Sequence, residues 1–233
     1  MKHISPSSMQ MYYNCPLMWY YKYIAELKQY SGADALVIGS GYHKCLEMHH
    51  SNRIKSISPE MKKRILSRYP TKKELEILGM ILSLYRKYAE APIEGNIQSL
   101  EYEFKVSIPG LELPLFGYID RVDEDKTIEY KTSALDYPNE GTIQSRIYCY
   151  ARWKLCGKLL PVYFSVINKK KFNKTNYKLQ YIKIEYTEED MLALEEEIKL
   201  FYLNVKNKKF EATKGNHCFW CPFGKAGTNN CKV

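Results

Sequence analysis

GYIDRVDEDKTIEYK, Gly117 to Lys131, reads as two short strands around a charged turn. Leu115, Phe116, Tyr118 and Ile119 make an apolar run that ends at Asp120. Glu124-Asp125-Lys126 supplies turn residues, and Thr127 to Thr132 is a second strand. The turn folds Glu129 back towards Asp120. Two carboxylates so placed can share a hard divalent cation such as Mg²⁺, which takes oxygen ligands and keeps several waters. Period-2 alternation puts Lys131 on the same face of its strand as Glu129. A cation there can orient water and stabilise charge developing on a phosphate. Taken alone, Asp120, Glu129 and Lys131 read as a solvated hairpin with a surface ion pair, since acid-x-Lys is common in any charged protein.

Outward from the hairpin, the pattern alternates helix and strand. A helix is expected from about Ser7 to Ile24, a less regular stretch around Gln29 to Ala35, and a second helix from near Gly39 that carries His43. Pro59 begins another helical region. Lys72 to Ala91 is amphipathic, with Leu75, Leu78, Ile81, Leu82 and Tyr85 on one side, and Pro92 and Gly95 stop it. Leu100 to Ile108 alternates as a strand, and Pro109-Gly110 turns into the hairpin.

After the hairpin, Thr142 can cap a helix that runs to Gly157 and sets Gln144 and Tyr148 four apart on one face. Val162 to Ile167 and Lys178 to Glu185 are strands, joined by the basic loop Asn168-Lys169-Lys170-Lys171, which is either solvated or phosphate-facing. Thr187-Glu188-Glu189-Asp190 resembles a capping box and opens a last helix with Met191, Leu194, Ile198, Phe201 and Val205 inwards.

The 233 residues can bury a substantial core and are expected to form one domain with terminal elaborations. No stretch is long and apolar enough to span a membrane, no signal-peptide pattern opens the chain, and an intracellular, cytoplasmic location (the host cell, if the protein is viral) is expected. The net charge of +9 favours anionic partners, nucleic acid first, although basic proteins also gain solubility this way. Many of the 21 tyrosines must pack in the core; interleaved with lysines, others can stack bases while the cations follow phosphates.

Three pieces occur in one order: Gly117-Tyr118-Ile119-Asp120-Arg121-Val122-Asp123, then Glu129-Tyr130-Lys131-Thr132, then Gln144-Ser145-Arg146-Ile147-Tyr148. Together they resemble the RecB-like branch of the PD-(D/E)XK nucleases. Upstream, Gly39-Ser40-Gly41-Tyr42-His43-Lys44-Cys45-Leu46-Glu47 resembles that family's Gly-x-x-x-His helix. The resemblance implies an α/β fold with a central mixed sheet flanked by helices and the metal site on one sheet edge. It implies Mg²⁺ or Mn²⁺ held by His43, Asp120, Glu129 and the Tyr130 carbonyl, with Asp120, Glu129 and Lys131 catalytic and Gln144 and Tyr148 touching DNA. His49, His50 and Glu103 have no such support and read as ordinary surface residues.

The resemblance extends to the iron-sulfur branch. Cys15-Pro16, ahead of the aromatic run Trp19-Tyr20-Tyr21-Lys22-Tyr23, is similar to the opening of those nucleases, and Cys218-Phe219-Trp220-Cys221-Pro222 is a C-x-x-C-P motif with Cys231 nine residues on. Cys15, Cys218, Cys221 and Cys231 are thereby implied as ligands of a [4Fe-4S] cluster, in a lobe built from about residues 1–30 and 207–233. The spacing before Cys231 is longer than the family's. Zinc on the four cysteines, or on three plus His217, is the alternative metal; a disulfide framework and unligated thiols also remain. Cys45, Cys149 and Cys156 read as structural.

The function implied is a metal-dependent DNA nuclease, an exonuclease acting on single strands or DNA ends and with endonuclease capacity open. Relatives of this size include exonucleases of CRISPR adaptation and nuclease domains of AddB-type helicase-nucleases, so a helicase, recombination or CRISPR-adaptation protein and a second copy of the chain are candidate partners. No G-x-x-x-x-G-K-[ST] loop is present, which leaves a stand-alone nuclease or a nuclease subunit. The rival is a nuclease-derived DNA-binding subunit that has lost catalysis.

Overall fold

The computed structural model describes residues 2–28, 34–51, 72–134, 137, 139–174, 177–224 and 227–231. The helical region expected from Pro59 lies outside these residues, as does most of the stretch after Gln29.

The N-terminal helix expected over Ser7 to Ile24 is two helices, α1 (Pro6–Asn14) and α2 (Pro16–Tyr23). Ser5 caps α1 by accepting the Ser8 N–H. The break has one cause: Pro16 pushes the preceding residue out of the α region, and Cys15 is extended at φ −163°, ψ 111°. Helix α3 (Asp34–His50) starts earlier than Gly39. Helix α4 (Lys72–Ala89) buries Ile77, Leu78, Ile81, Leu84, Tyr85 and Tyr88. Its buried face is therefore rotated from the expected one, leaving Leu75 68% exposed.

Five strands form one mixed sheet in the order β1-β2-β3-β4-β5: β1 (Ile97–Val106), β2 (Leu115–Asp123), β3 (Thr127–Ser133), β4 (Val162–Asn168) and β5 (Gln180–Ile184). Pairing is antiparallel except between β3 and β4. The parallel step needs a crossover, and α5 (Ile143–Cys156) supplies it. Thr142 and Ser145 close a reciprocal capping box at its start, and Gly157 ends it at φ 73°, a conformation costly for other residues. Helix α6 (Glu188–Lys206) opens on the Thr187–Asp190 capping box. Met191, Leu194, Ile198 and Phe201 are buried as the periodicity requires, and Val205 is half-buried.

Two cores flank the sheet. Residues of α1, α2, α5 and α6 pack with Phe104, Leu115, Ile119 and Val122, while α3 and α4 pack with Ile128, Tyr130 and Ile167. Gly117 lies where a side chain would collide with the Phe104 ring at 2.8 Å, which lets β2 pass close to its neighbours. The two ends of the chain meet. The Tyr12 hydroxyl donates to the Lys209 carbonyl at 2.7 Å, Trp19 stacks on Phe210, and the Tyr21 hydroxyl reaches the Asn230 carbonyl. A short 3₁₀ helix, Asn216–Trp220, lies in this C-terminal segment.

Candidate active site

Hairpin β2–β3 is paired only at its base, Arg121 with Ile128 and Val122 with Thr127. Beyond these pairs the ladder stops, and the Asp120 carboxylate takes the place of a strand acceptor: its Oδ2 receives the Tyr130 N–H at 2.8 Å. The base is locked by a buried bidentate pair, Arg121 to Asp123 at 2.7 Å for both bonds, with a further guanidinium bond to the Ile93 carbonyl. The second acid of the Asp-Arg-x-Asp stretch is thus structural, and removing either partner strands a buried charge at a cost of about 3–5 kcal/mol. Because β3 is the middle strand, the site stands at the centre of the sheet and not on an edge strand.

Four elements deliver the polar groups. Helix α3 brings His43 Nδ1 to within 3.1 Å of Asp120 Oδ1. Strand β3 supplies Glu129, 3% exposed, whose Oε1 accepts from Lys131 Nζ at 2.7 Å and from Gln144 Nε2 at 2.9 Å. Helix α5 contributes Gln144, which also accepts from Lys131 Nζ at 2.6 Å and donates to the Tyr148 hydroxyl at 2.7 Å. Tyr148 itself is buried against Phe104, so it meets the cleft through Gln144. Asp120, Glu129, Lys131, His43 and Gln144 are therefore brought together.

Electrostatics poise this group for a cation. Burial and the Asp120 charge push the Glu129 carboxyl up to about 7, against the opposing pull of Lys131. Burial works to raise Asp120 as well, but the bond and charge of His43 and the Tyr130 N–H bring it below its ordinary value. Burial would lower Lys131, and Glu129 outweighs it, so the ammonium stays above its usual value. Lys131 is therefore a charge and a hydrogen-bond donor at neutral pH, not a base. His43 is likewise raised: burial disfavours its charge, and Asp120 more than restores it.

Glu129 Oε2 is buried and has no hydrogen-bond partner among the described residues. An orphaned carboxylate oxygen beside Asp120 is costly without a cation, and an oxygen-rich donor set suits Mg²⁺ or Mn²⁺. The residues fit such an ion. Among the described residues, no three histidine, cysteine or acidic side chains yet converge as ligands: His43 is paired to Asp120, and Lys131 to Glu129.

The group opens on a cleft of about 830 Å³ that His43, Lys44, Glu47, Lys131 and Lys169 help to line. Lys169, from the basic loop after β4, is thus a cleft residue. Glu101 lines it too, although no motif in the sequence marks it. The register that pairs Leu100 with Arg121 and Tyr102 with Ile119 sets Glu101 opposite Asp120. Partial desolvation and that facing charge hold its carboxyl above the ordinary range. Its backbone, at φ 48°, lies in the left-handed region, a local departure that alternation cannot signal.

His49 and His50 are not the surface residues expected. His49 Nδ1 bonds the Tyr85 hydroxyl at 3.0 Å, and His50 Nε2 lies 2.7 Å from the Tyr88 hydroxyl and 3.0 Å from that of Tyr130. His50 sits two turns after His43, so α3 is tied to β3 and its neighbours at both points. Burial and the nearby Arg121 lower the His50 imidazole to about 3. A depressed folded value against an ordinary 6.5 means that the unfolded chain takes the proton first. This contribution to stability is complete above pH 6.5 and is lost as pH falls towards 3. Unfolding followed by denaturant should show an acid slope of at most about 1.4 kcal/mol per pH unit from this group, reduced because the ring is part-exposed, and His50→Gln should flatten it.

The implied cluster cysteines gather at the joined termini. Cys15, Cys221 and Cys231 pack around Phe223. The Thr213 N–H points at Cys15 Sγ at 3.4 Å, and the Cys218 thiol lies 3.9 Å from the Thr213 carbonyl. Four thiols with no carboxylate among them suit a thiophilic metal group. They do not meet at coordination distance among the described residues. Cys45 and Cys149 are buried, and Cys156 is exposed.

No curated protein matches the chain by sequence. Its fold is similar to that of a candidate exonuclease from Eubacterium rectale, a solved structure that aligns over 96% of this chain and 88% of the other at 13% identity, with a TM-score of 0.60. A second solved structure, SSO0001, aligns over 91% of each chain at 14% identity, and its TM-score of 0.39 carries no weight. The family described as the PD-(D/E)XK nuclease superfamily matches residues 3–226. With that match over nearly its whole length, and with Asp120 and the Glu129-Tyr130-Lys131 strand meeting at the splayed end of its central hairpin, the chain belongs to the PD-(D/E)XK nuclease superfamily.

Proposed function

We propose that the protein is a metal-dependent deoxyribonuclease, an exonuclease on single strands or DNA ends, that hydrolyses phosphodiester bonds. The observation that carries this reading is the buried, unpartnered Glu129 Oε2 beside Asp120, with Lys131 held at 2.7 Å. Asp120, Glu129, the Tyr130 carbonyl and His43 would hold Mg²⁺ or Mn²⁺, the ions that nucleases of this superfamily generally use. When bound, the ion supplies positive charge at the scissile phosphate and lowers the pKa of water.

The chain's own groups do the rest. Lys131, kept protonated by Glu129, donates a hydrogen bond that orients the attacking water and faces the charge that grows on the phosphate oxygens. Gln144 fixes both Lys131 and Glu129, so the ammonium and the carboxylate cannot turn apart. To serve as a ligand, His43 would have to give up its 3.1 Å bond to Asp120. The products are a 5′-phosphate and a 3′-hydroxyl. Lys44 and Lys169 on the cleft wall can follow the phosphate backbone.

At the joined termini, Cys15, Cys218, Cys221 and Cys231 would hold a [4Fe-4S] cluster of structural role, zinc being the alternative. The supporting observation is that segments about 200 residues apart in sequence bring three of these thiols around Phe223.

End-labelled single-stranded, duplex and circular DNA, incubated with anaerobically purified protein and Mg²⁺, tests the function. Degradation of the linear forms is expected, with the product ladder giving polarity and the circles reporting endonuclease action. DNA that is bound and left intact would overturn catalysis in favour of a silent DNA-binding subunit.

A further inference from the structure

The most exposed aromatic rings among the described residues are Phe219 and Trp220, at 75% and 74%. They are neighbours in the C-x-x-C turn. Cys218, exposed, lies within Asn216–Trp220, and Cys221, three residues on, is its extended C-cap, buried with Phe223; the two intervening rings are left facing outwards. Their centroids stand 6.0 Å apart at 72°, so neither ring covers the face of the other.

Other exposed aromatics have a local reason to be where they are. The hydroxyls of Tyr13, Tyr118 and Tyr181 bond to the Glu197 carbonyl, the Glu103 carboxylate and the Ala91 carbonyl. Phe219 has no polar atom to satisfy, and adjacent bare rings of this size are unfavourable in water unless something covers them.

Charge says what the cover is. Residues 206–233 contain Lys206, Lys208, Lys209, Lys214, Lys225 and Lys232 against the single acid Glu211, a net +5 of the chain's +9. Lys206, Lys208, Lys209 and Lys214 are exposed. The same terminal region holds a second aromatic surface, a groove of about 610 Å³ where Tyr20, Ile24 and Phe210 are rimmed by Lys206 and Lys208. Unpaired bases need aromatic faces and their phosphates need cations, and a duplex hides its base faces.

We propose that Phe219 and Trp220 are a base-stacking platform for single-stranded DNA, with lysines of the same terminal region following its phosphates. This rests on the nuclease reading for its biological sense and deepens it, since it names unpaired strand as the form in which substrate is held. The platform lies in the cysteine lobe, and its binding is separable from hydrolysis.

The test uses the full chain with its metal group, purified anaerobically, and no added divalent cation, so that no cleavage contributes. A fluorescein-labelled oligo-dT strand is titrated while anisotropy and tryptophan emission are followed. Wild type is expected to bind with quenching of Trp220, the exposed tryptophan; Trp19 is buried and Trp153 half-buried, and the part of the emission change that the double variant loses is that of Trp220. The Phe219→Ser/Trp220→Ser double variant should lose about ten- to a hundredfold in affinity for the strand, the range for one or two stacked bases. Its thermal midpoint should be unchanged, because both rings are exposed. An abasic strand of equal length should bind wild type as weakly as oligo-dT binds the variant. Equal affinity of wild type and variant, or of abasic and dT strands, would overturn the platform. So would a wild-type dimer that the double variant dissolves, since a second copy would then be the cover. Cleavage assayed in parallel with Mg²⁺ separates the two readings: DNA degradation without ring-dependent binding defeats only the platform, and ring-dependent binding without degradation defeats only the nuclease.

Discussion

Lys131→Ala leaves DNA affinity close to wild type and lowers the rate of cleavage by about 10²–10³-fold, the range for removing one preorganised donor from the site of developing charge. The asymmetry follows from where the ammonium is held. Its bonds are to Glu129 and Gln144, inside the site, and its charge is secured by the Glu129 carboxylate against the effect of burial. It is therefore spent on the reacting phosphate and water, while the length of the strand is held elsewhere. The fold should survive. The Glu129 side chain is only 4% exposed, so loss of the ammonium would leave a buried charge, but burial already pushes this carboxyl up to about 7, and without Lys131 it takes up a proton and stays neutral. Gln144 still donates to Glu129 in the variant. Filter binding, single-turnover cleavage and a melting curve on the same preparation check all three. Equal loss of binding and cleavage would remove the assigned role.

If Cys15, Cys218, Cys221 and Cys231 hold the metal group proposed for them, Cys221→Ser should release it and loosen the union of the two termini, lowering the thermal midpoint by several degrees and weakening DNA binding. Cys221 is buried beside Cys15 and Cys231, and the tail after it is held mainly by short-range backbone bonds, such as Cys231 N–H to the Phe223 carbonyl at 2.7 Å. A cluster of four thiolates would tie α2 to residues far along the chain, and a loss of 1 kcal/mol moves the midpoint of a chain this size by about 2–4 °C. Iron and sulfide analysis, with zinc measured beside it, identifies the group released. A variant that keeps both its metal content and its melting temperature would contradict the structural role.

The hairpin was legible because its chemistry is local. An apolar run ending at Asp120, three turn residues and a Glu-x-Lys strand specify their own pairing, and the caps at Thr142 and Thr187 specify where α5 and α6 begin. What sequence could not show depends on contacts between distant segments. Asp120 serves as the acceptor for Tyr130 N–H only because the ladder stops after two pairs. Glu101 reaches the cleft through a register and a backbone departure that leave no trace in alternation. His50 looks like one of a surface pair until α3 is laid against Tyr88 and Tyr130. The break at Cys15 was readable from Pro16, and aromatic periodicity masked it. The buried face of α4 differs from the expected one because apolar residues line more than one side of the helix, and packing on α3 selects between them.

The most direct measurement is the initial rate of single-strand degradation as Mg²⁺ is removed and restored, with wild type and Glu129→Gln side by side. A site in which Asp120 and Glu129 hold the ion predicts that EDTA stops wild type, that excess Mg²⁺ restores it along a saturating curve, and that Glu129→Gln stays near zero throughout. Cleavage that persists without a divalent cation, or a Glu129→Gln curve that follows wild type, would contradict it.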